Sequence, residues 1–293
     1  MSCEPVPRLA GPIAVIGAGT MGRGIAHVCA LSGFEARLFD VDEGVLGRAL
    51  GTVKANLDRG VELGKVSEED RRGCLERLQP TLSLPEAVRD VDLVIEAVPE
   101  DLELKRRVLS EALAGVDAQT IVATNTSSLS ISAIADGLDG PERIVGMHFF
   151  NPVHIMTLVE IVRGERTMDR VVEQAVEFSE ALGKEPIVVR DSPGFASSRL
   201  GVALGLEAIR MLEEGVASAR DIDRAMELGY RHPMGPLRLT DLVGLDVRLG
   251  IARYLDRELG GERFRPPELL ERMVAEGRLG RKSGRGFYEW PTE

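Results

Sequence analysis

Several absences narrow what this 293-residue chain can be. No stretch approaches the ~20 consecutive apolar residues of a membrane-spanning helix, and Arg and Glu interrupt every helical stretch, so no membrane partner is expected. Met1 to Gly11 holds two prolines and no apolar run behind a basic start, so it does not read as a secretory leader and is expected to be a short flexible tail. Cysteine is scarce: Cys3, Cys29 and Cys74 are odd in number and lack CxxC or metal-ligand spacing, which argues for a reducing compartment without disulfides. A cytoplasmic location is the expectation. Positive charge is also in deficit, with a formal net charge of -11, which disfavours nucleic acid as a partner and requires any anionic ligand to be held by local charge. No pair among the four histidines suggests a metal site, and no repeat or low-complexity tract is evident.

What is present is enough apolar chain, 44% of residues, for one large domain and a smaller one. Short β-branched runs alternate with amphipathic stretches: Ile13 to Ile16, Ala36 to Phe39, Asp92 to Val98, Thr120 to Ala123, Arg143 to His148, Leu158 to Val162 and Pro186 to Val189. That rhythm predicts an α/β fold with a mostly parallel sheet and helices on both faces. A long charged segment, Glu43 to Lys65, precedes Ser67-Glu68-Glu69-Asp70, an N-cap signature, and together they predict a helical hairpin projecting from the sheet. Beyond Asp191-Ser192-Pro193-Gly194 only helical periodicity remains, in Leu200 to Glu213, Ala219 to Leu228 and Leu237 to Leu259. Residues 1–190 are therefore expected to form one domain and 191–293 an all-α domain. Gly201 and Gly205, four apart, allow close backbone approach, either within the chain or, as preferred, at a dimer interface.

The first strand runs into Gly17-Ala18-Gly19-Thr20-Met21-Gly22, a GxGxxG that opens a helix. Its glycines permit a tight turn, close approach of a pyrophosphate to the backbone, and packing of helix on strand, while the helix terminus offers free N–H groups. The motif alone is weak. Its context, an N-terminal strand before it and Asp40 at the end of the second strand to receive the adenosine ribose hydroxyls, predicts a Rossmann-type dinucleotide site. Asp40 repels a 2′-phosphate and no Arg follows it, which favours NAD over NADP.

Asn125-Thr126-Ser127-Ser128 follows an apolar strand, where loops at carboxyl ends face the ligand crevice. Oxidising a secondary alcohol needs a base, and an imidazole suits that near neutrality, which makes His148 the candidate. Glu160, set in Leu-Val-Glu-Ile-Val, is costly to bury without a partner and can orient that imidazole. Taken singly, His148 reads as a satisfied core histidine and Glu160 as an edge carboxylate in water; their pairing after a dinucleotide fold favours catalysis. His27, His154 and His232 have no equally placed carboxylate.

These residues resemble the 3-hydroxyacyl-CoA dehydrogenase family over nearly the whole chain. The matching segments, in the family's order, are Gly17 to Gly22, Val98-Pro99-Glu100 with Lys105, Asn125 to Ser128, His148 to Pro152, Leu158 to Glu160, Asp191 to Phe195, Pro233 to Pro236 and Gly284 to Tyr288. The pattern is most similar to the single-function bacterial 3-hydroxybutyryl-CoA dehydrogenases. The resemblance implies NAD as cofactor, a short-chain acyl-CoA substrate, a place in fatty acid metabolism, and a homodimer formed through the C-terminal helical domain, which also contributes to a substrate cleft. It implies His148 as base, Glu160 as its orienting carboxylate and Ser127 as donor to the 3-oxygen. It also implies Gly17, Gly19, Met21, Gly22, Asp40, Glu100, Lys105, Asn125 and Lys282 at the cofactor, with Asn56, Lys65, Lys105, Asn151 and Ser127 toward the substrate. Lysines beside phosphates supply charge that the acidic chain otherwise lacks, the alternative being solvated surface charge. In one departure, Ser198 stands where the family usually carries Asn, and a hydroxyl is shorter and donates one hydrogen bond. Two other readings stand beside this one: a dehydrogenase of a free hydroxy acid or sugar acid, as in the gulonate dehydrogenase and lambda-crystallin group, and a dinucleotide-binding protein without catalysis.

Overall fold

The computed structural model describes residues 9–291, so Cys3 and most of the expected N-terminal tail lie outside the described residues. The chain divides into two compact units, one ending at Ser192 and the other beginning at Pro193.

The first unit alternates strands and helices: β1 Ile13–Ile16, α1 Thr20–Leu31, β2 Ala36–Phe39, α2 Glu43–Glu62, α3 Glu68–Arg77, β3 Leu78–Thr81, α4 Leu84–Ala87, β4 Leu93–Glu96, α5 Leu102–Leu113, β5 Ile121–Thr124, α6 Ile131–Ala135, β6 Ile144–Phe149, β7 Leu158–Arg163, α7 Asp169–Ala181 and β8 Glu185–Arg190. The strands form one sheet in the order β3-β2-β1-β4-β5-β6-β7-β8. From β3 to β6 all neighbours are parallel; β7 runs antiparallel to β6, and β8 parallel to β7. β1, β4, β5 and β6 are buried along their whole length, as strands covered on both faces must be, which is why they are near-continuous apolar runs. The order 3-2-1-4-5-6 reverses direction between β1 and β4, and ligands of such sheets lie at the carboxyl ends beside that switch.

The sequence pattern omitted β3. Its residues Leu-Gln-Pro-Thr carry no apolar run, and a proline is tolerated there because the strand lies at the sheet edge, where one side needs no donor. The helical hairpin is present as α2 and α3. Leu46, Ala49, Val53 and Leu57 of α2 and Cys74 of α3 are buried in one cluster with Ile25 and Cys29 of α1. Each such Leu or Val contributes roughly 1.5–3 kcal/mol by burial, enough to seat the hairpin against α1. The hydroxyl of Ser67 accepts from Asp70 N at 3.0 Å, the capping role its position predicted.

The second unit contains α8 Ser197–Glu213, α9 Ala219–Gly229, α10 Pro236–Val243, α11 Leu245–Leu259 and α12 Glu268–Ala275, and among its described residues no strand longer than isolated bridges. The periodic stretch Leu237 to Leu259 is two helices rather than one. Gly244, at φ 101°, turns the chain between α10 and α11 in a conformation side chains rarely adopt. A Cβ at Gly205 would lie 3.3 Å from Thr240 Oγ1 and 3.4 Å from the Arg248 guanidinium carbon. Close packing of α8 on its own neighbours therefore accounts for Gly205, the intrachain alternative of the two readings, while a Cβ at Gly201 would meet only the Arg248 guanidinium, at 3.8 Å.

Two motifs of this unit turn out to serve buried carboxylates. Asp223 accepts from Leu237 N (2.8 Å), Arg238 N (2.9 Å) and the Tyr288 hydroxyl (2.6 Å). Asp241 accepts from Phe287 N (2.9 Å), Tyr288 N (2.9 Å) and Trp290 Nε1 (2.8 Å). The Pro233 to Pro236 and Gly284 to Tyr288 segments thus fasten the C-terminal residues onto α9 and α10, and each acid is buried with its donors in place.

Candidate active site

The glycine turn after β1 separates its three glycines by what each must avoid. A side chain at Gly17, where φ is 97°, would come within 2.9 Å of Ala97 O, and one at Gly22 within 1.7 Å of Gly17 O. Gly19 has nothing within 4 Å of where a Cβ would sit. The protein's own packing explains the first two and leaves the third to open space. Gly19 also caps α1 without a side-chain bond, and the first turn holds no acid, so the helix presents uncompensated N–H groups there. Met21 packs against the core beneath. Asp40, one residue past β2, accepts from Ala18 N at 2.8 Å and from Asp42 N at 3.1 Å, which pins its carboxylate across the glycine turn. An open glycine, a free helix terminus and a fixed acid fit a dinucleotide: pyrophosphate at the turn, ribose hydroxyls at the acid.

His148 on β6 and Glu160 on β7 are directly opposite each other in the antiparallel register. Nδ1 of the imidazole lies 2.7 Å from Glu160 Oε2, with Glu160 fully buried and His148 7% exposed. A carboxylate only accepts, so Nδ1 carries the hydrogen in the neutral ring and Nε2 is left as the basic nitrogen. Phe150 lies against the ring at 4.4 Å between centroids.

The loops after β4 and β5 are bonded into one network beside this pair. Asn125 Oδ1 accepts from Phe149 N at 3.0 Å, next to His148. Glu100 Oε1 accepts from Thr126 Oγ1 (2.5 Å), Ser127 N (3.1 Å) and Ser128 Oγ (3.2 Å), so the loop is held by one acid while the Ser127 hydroxyl has no partner among the described residues.

Lys105 corrects an expectation. Its ammonium is fully buried and donates to Glu96 Oε1 (2.8 Å) and Oε2 (3.1 Å), Asn125 O (3.2 Å) and Val98 O (3.3 Å). An ammonium saturated by a buried carboxylate and two carbonyls offers no free charge to a phosphate; it ties the two loops together. Glu96, fully buried at the end of β4 and also bonded to Thr124 Oγ1 at 2.6 Å, was missed in the sequence, although it stands in Leu-Val-Ile-Glu much as Glu160 stands in its own apolar run. Lys282, in the second unit, is likewise paired, with Asp246 Oδ2 at 2.6 Å. Ser198 lies in the first turn of α8. Asn151 is exposed just beyond β6, and Asn56 on α2 and Lys65 in the turn after it have no side-chain bond to this network among the described residues.

Fold and cradle together define a dinucleotide-binding oxidoreductase. The profile described as 3-hydroxyacyl-CoA dehydrogenase, NAD binding domain, matches residues 12–192, and that of the C-terminal domain of the same enzymes matches 194–290. A 3-hydroxybutyryl-CoA dehydrogenase from Bradyrhizobium diazoefficiens is 44% identical over 95% of this chain and 94% of its own. A 3-hydroxyadipyl-CoA dehydrogenase from Escherichia coli is 43% identical over 96% of this chain and 59% of its own. The crystal structure of an (S)-3-hydroxybutyryl-CoA dehydrogenase from Ralstonia eutropha superposes with a TM-score of 0.93 at 40% identity, covering 96% of this chain and 99% of that one. The chain belongs to the 3-hydroxyacyl-CoA dehydrogenase family and is an NAD-dependent enzyme of that class. No helix among the described residues is long and apolar enough to cross a membrane.

Proposed function

We propose that the enzyme interconverts short-chain L-3-hydroxyacyl-CoA, such as 3-hydroxybutyryl-CoA, and the 3-oxoacyl-CoA. The observation that carries this reading is the 2.7 Å contact between His148 Nδ1 and Glu160 Oε2 on adjacent strands. When bound, NAD supplies the hydride acceptor for oxidation and, reduced, the donor for the reverse direction. His148 Nε2 takes the hydroxyl proton as the C3–H bond breaks and returns it in reduction. Glu160 holds the ring in the tautomer that leaves Nε2 basic and stabilises the imidazolium that forms. The Ser127 hydroxyl donates to the 3-oxygen, and Glu100 and Asn125 fix the loop and strand end from which Ser127 and His148 reach the substrate. Gly17, Gly19, Gly22 and Asp40 hold the dinucleotide, while Ser198, Asn151, Asn56, Lys65 and Lys282 are assigned to substrate or cofactor contact by family position. A homodimer formed by the second unit, a cytoplasmic location and a role in fatty acid metabolism complete the proposal.

A dicarboxylic acyl chain is the second reading, favoured by the Escherichia coli relative of nearly equal identity. Rates with NADH across acetoacetyl-CoA, longer 3-oxoacyl-CoA esters and 3-oxoadipyl-CoA, with free 3-hydroxybutyrate tested in the oxidative direction, decide among them. The proposal expects the highest kcat/KM with the four-carbon thioester and about a thousandfold less with the free acid. Equal turnover of the free acid contradicts it.

A further inference from the structure

The segment joining β6 to β7, residues 150–157, begins beside the strand that carries His148 and ends in the strand that carries Glu160. Side chains with no part in the proposed chemistry hold it. Lys184, in the turn between α7 and β8, is buried, and its ammonium donates to two backbone carbonyls of the segment, Val153 O at 2.5 Å and Met156 O at 2.9 Å. No carboxylate pairs with it among the described residues. The turn that offers these carbonyls is closed on itself, since Pro152 O accepts from both Ile155 N (3.0 Å) and Met156 N (2.9 Å).

The same turn also rests on α1, the helix that opens at the glycine cradle. Val153 is 2% exposed, and a Cβ on Gly24 would lie 2.8 Å from its Cγ2, so this glycine is the notch that admits it. One helical turn further, His27 lies under His154 with ring centroids 5.6 Å apart. A buried ammonium without a carboxylate is an expensive fastening, and an apolar side chain would fill the space at less cost. What the ammonium alone can do is gather two carbonyls and thereby fix the course of the backbone between them.

We propose that Lys184 is a positioning residue for the reaction: with the Gly24 notch it fixes the β6–β7 connection on the cofactor-binding helix and so sets where His148 and Glu160 stand relative to the glycine cradle. The proposal rests on the reading of those two residues as the catalytic pair. Displacements of about an ångström at such a pair cost on the order of a hundredfold in rate.

The full-length enzyme is compared with Lys184→Met, Lys184→Arg, Gly24→Ala and His148→Gln by kcat, KM for acetoacetyl-CoA, NADH dissociation constant and melting temperature. Lys184→Met keeps the side-chain length and removes the donors; its kcat is expected to fall about tenfold to a hundredfold with NADH affinity within about twofold. Lys184→Arg restores most of kcat, because it returns a cation with several donors. Gly24→Ala repeats the kcat loss with Lys184 intact, by displacing Val153. A lowered melting temperature with kcat per folded molecule unchanged in both Lys184→Met and Gly24→Ala overturns the proposal, as does a loss confined to NADH affinity. If His148→Gln stays active, the catalytic reading fails and the positioning role falls with it. If His148→Gln is inactive while Lys184→Met turns over at the parent rate, the positioning role alone is overturned.

Discussion

Two carboxylates, Glu96 and Glu160, sit fully buried on apolar strands of the same sheet, and they face different partners. Glu96 faces Lys105, whose ammonium donates to both of its oxygens, and the pair binds the loops after β4 and β5 together. Glu160 faces His148, whose Nδ1 lies 2.7 Å from its Oε2, and a ring held in this way suits the proton transfer proposed for it. Under the proposed mechanism the partner, not the acid or its burial, decides which buried carboxylate ties loops together and which serves the reaction.

Amide substitutions at the two acids break that comparison in opposite ways. Glu160→Gln removes the charge that stabilises the imidazolium and is expected to lower kcat by about a hundredfold or more while leaving melting temperature within a few degrees. Glu96→Gln strands a buried ammonium and is expected to cost about 3–5 kcal/mol of stability by chemical denaturation, with kcat per folded molecule falling much less. The reverse pattern, an inactive but stable Glu96→Gln, would move Glu96 into the catalytic role.

A smaller effect tests the acid at the cradle. Replacing Asp40 by Ser and Val41 by Arg removes repulsion and supplies a guanidinium for a 2′-phosphate, so the ratio of kcat/KM for NADPH over NADH is expected to rise by about two orders of magnitude. An unchanged ratio displaces the ribose from Asp40.

His27 contrasts with His148 as a histidine buried without a carboxylate. Burial, with the charges of His154 and Lys184 beyond it, pulls its pKa from 6.5 to about 4. The unfolded chain therefore takes up a proton first, so stability is complete above about pH 6.5 and declines as pH falls toward 4. Replacing His27 by Phe is expected to shrink the stability lost between pH 7 and pH 5 by on the order of 1–2 kcal/mol in denaturant melts. An identical pH dependence in the variant contradicts this origin of acid sensitivity. The smallest effect is expected at Ser198, where Ser198→Asn, measured by kcat/KM, changes the rate by less than about tenfold if the hydroxyl acts through water.

Much of the cradle and the proposed catalytic pair was legible because local spacing carries it. Gly17, Gly19 and Gly22 lie within one turn of chain, Asp40 closes the next strand, and a carboxylate within Leu-Val-Glu-Ile-Val announces a partner. The same reasoning applied to Leu93-Val94-Ile95-Glu96 would have found the second acid. Lys105 was misjudged because a lysine on a polar-looking helix is normally solvated, and only the neighbouring strand end shows that it is enclosed. β3 was invisible because its polar, proline-bearing edge has no alternation to read, and the break at Gly244 because apolar periodicity continues across it. Lys184 left no trace, since its partners are backbone carbonyls some thirty residues away, and carbonyls have no sequence signature.

The central claim is most directly tested by the turnover of His148→Gln with acetoacetyl-CoA and NADH, measured beside NADH binding by fluorescence titration on the same preparation. The account predicts a kcat lowered by about a thousandfold or more with the dissociation constant for NADH unchanged within about twofold. A folded variant that binds NADH normally and retains more than a tenth of the parent rate would contradict it.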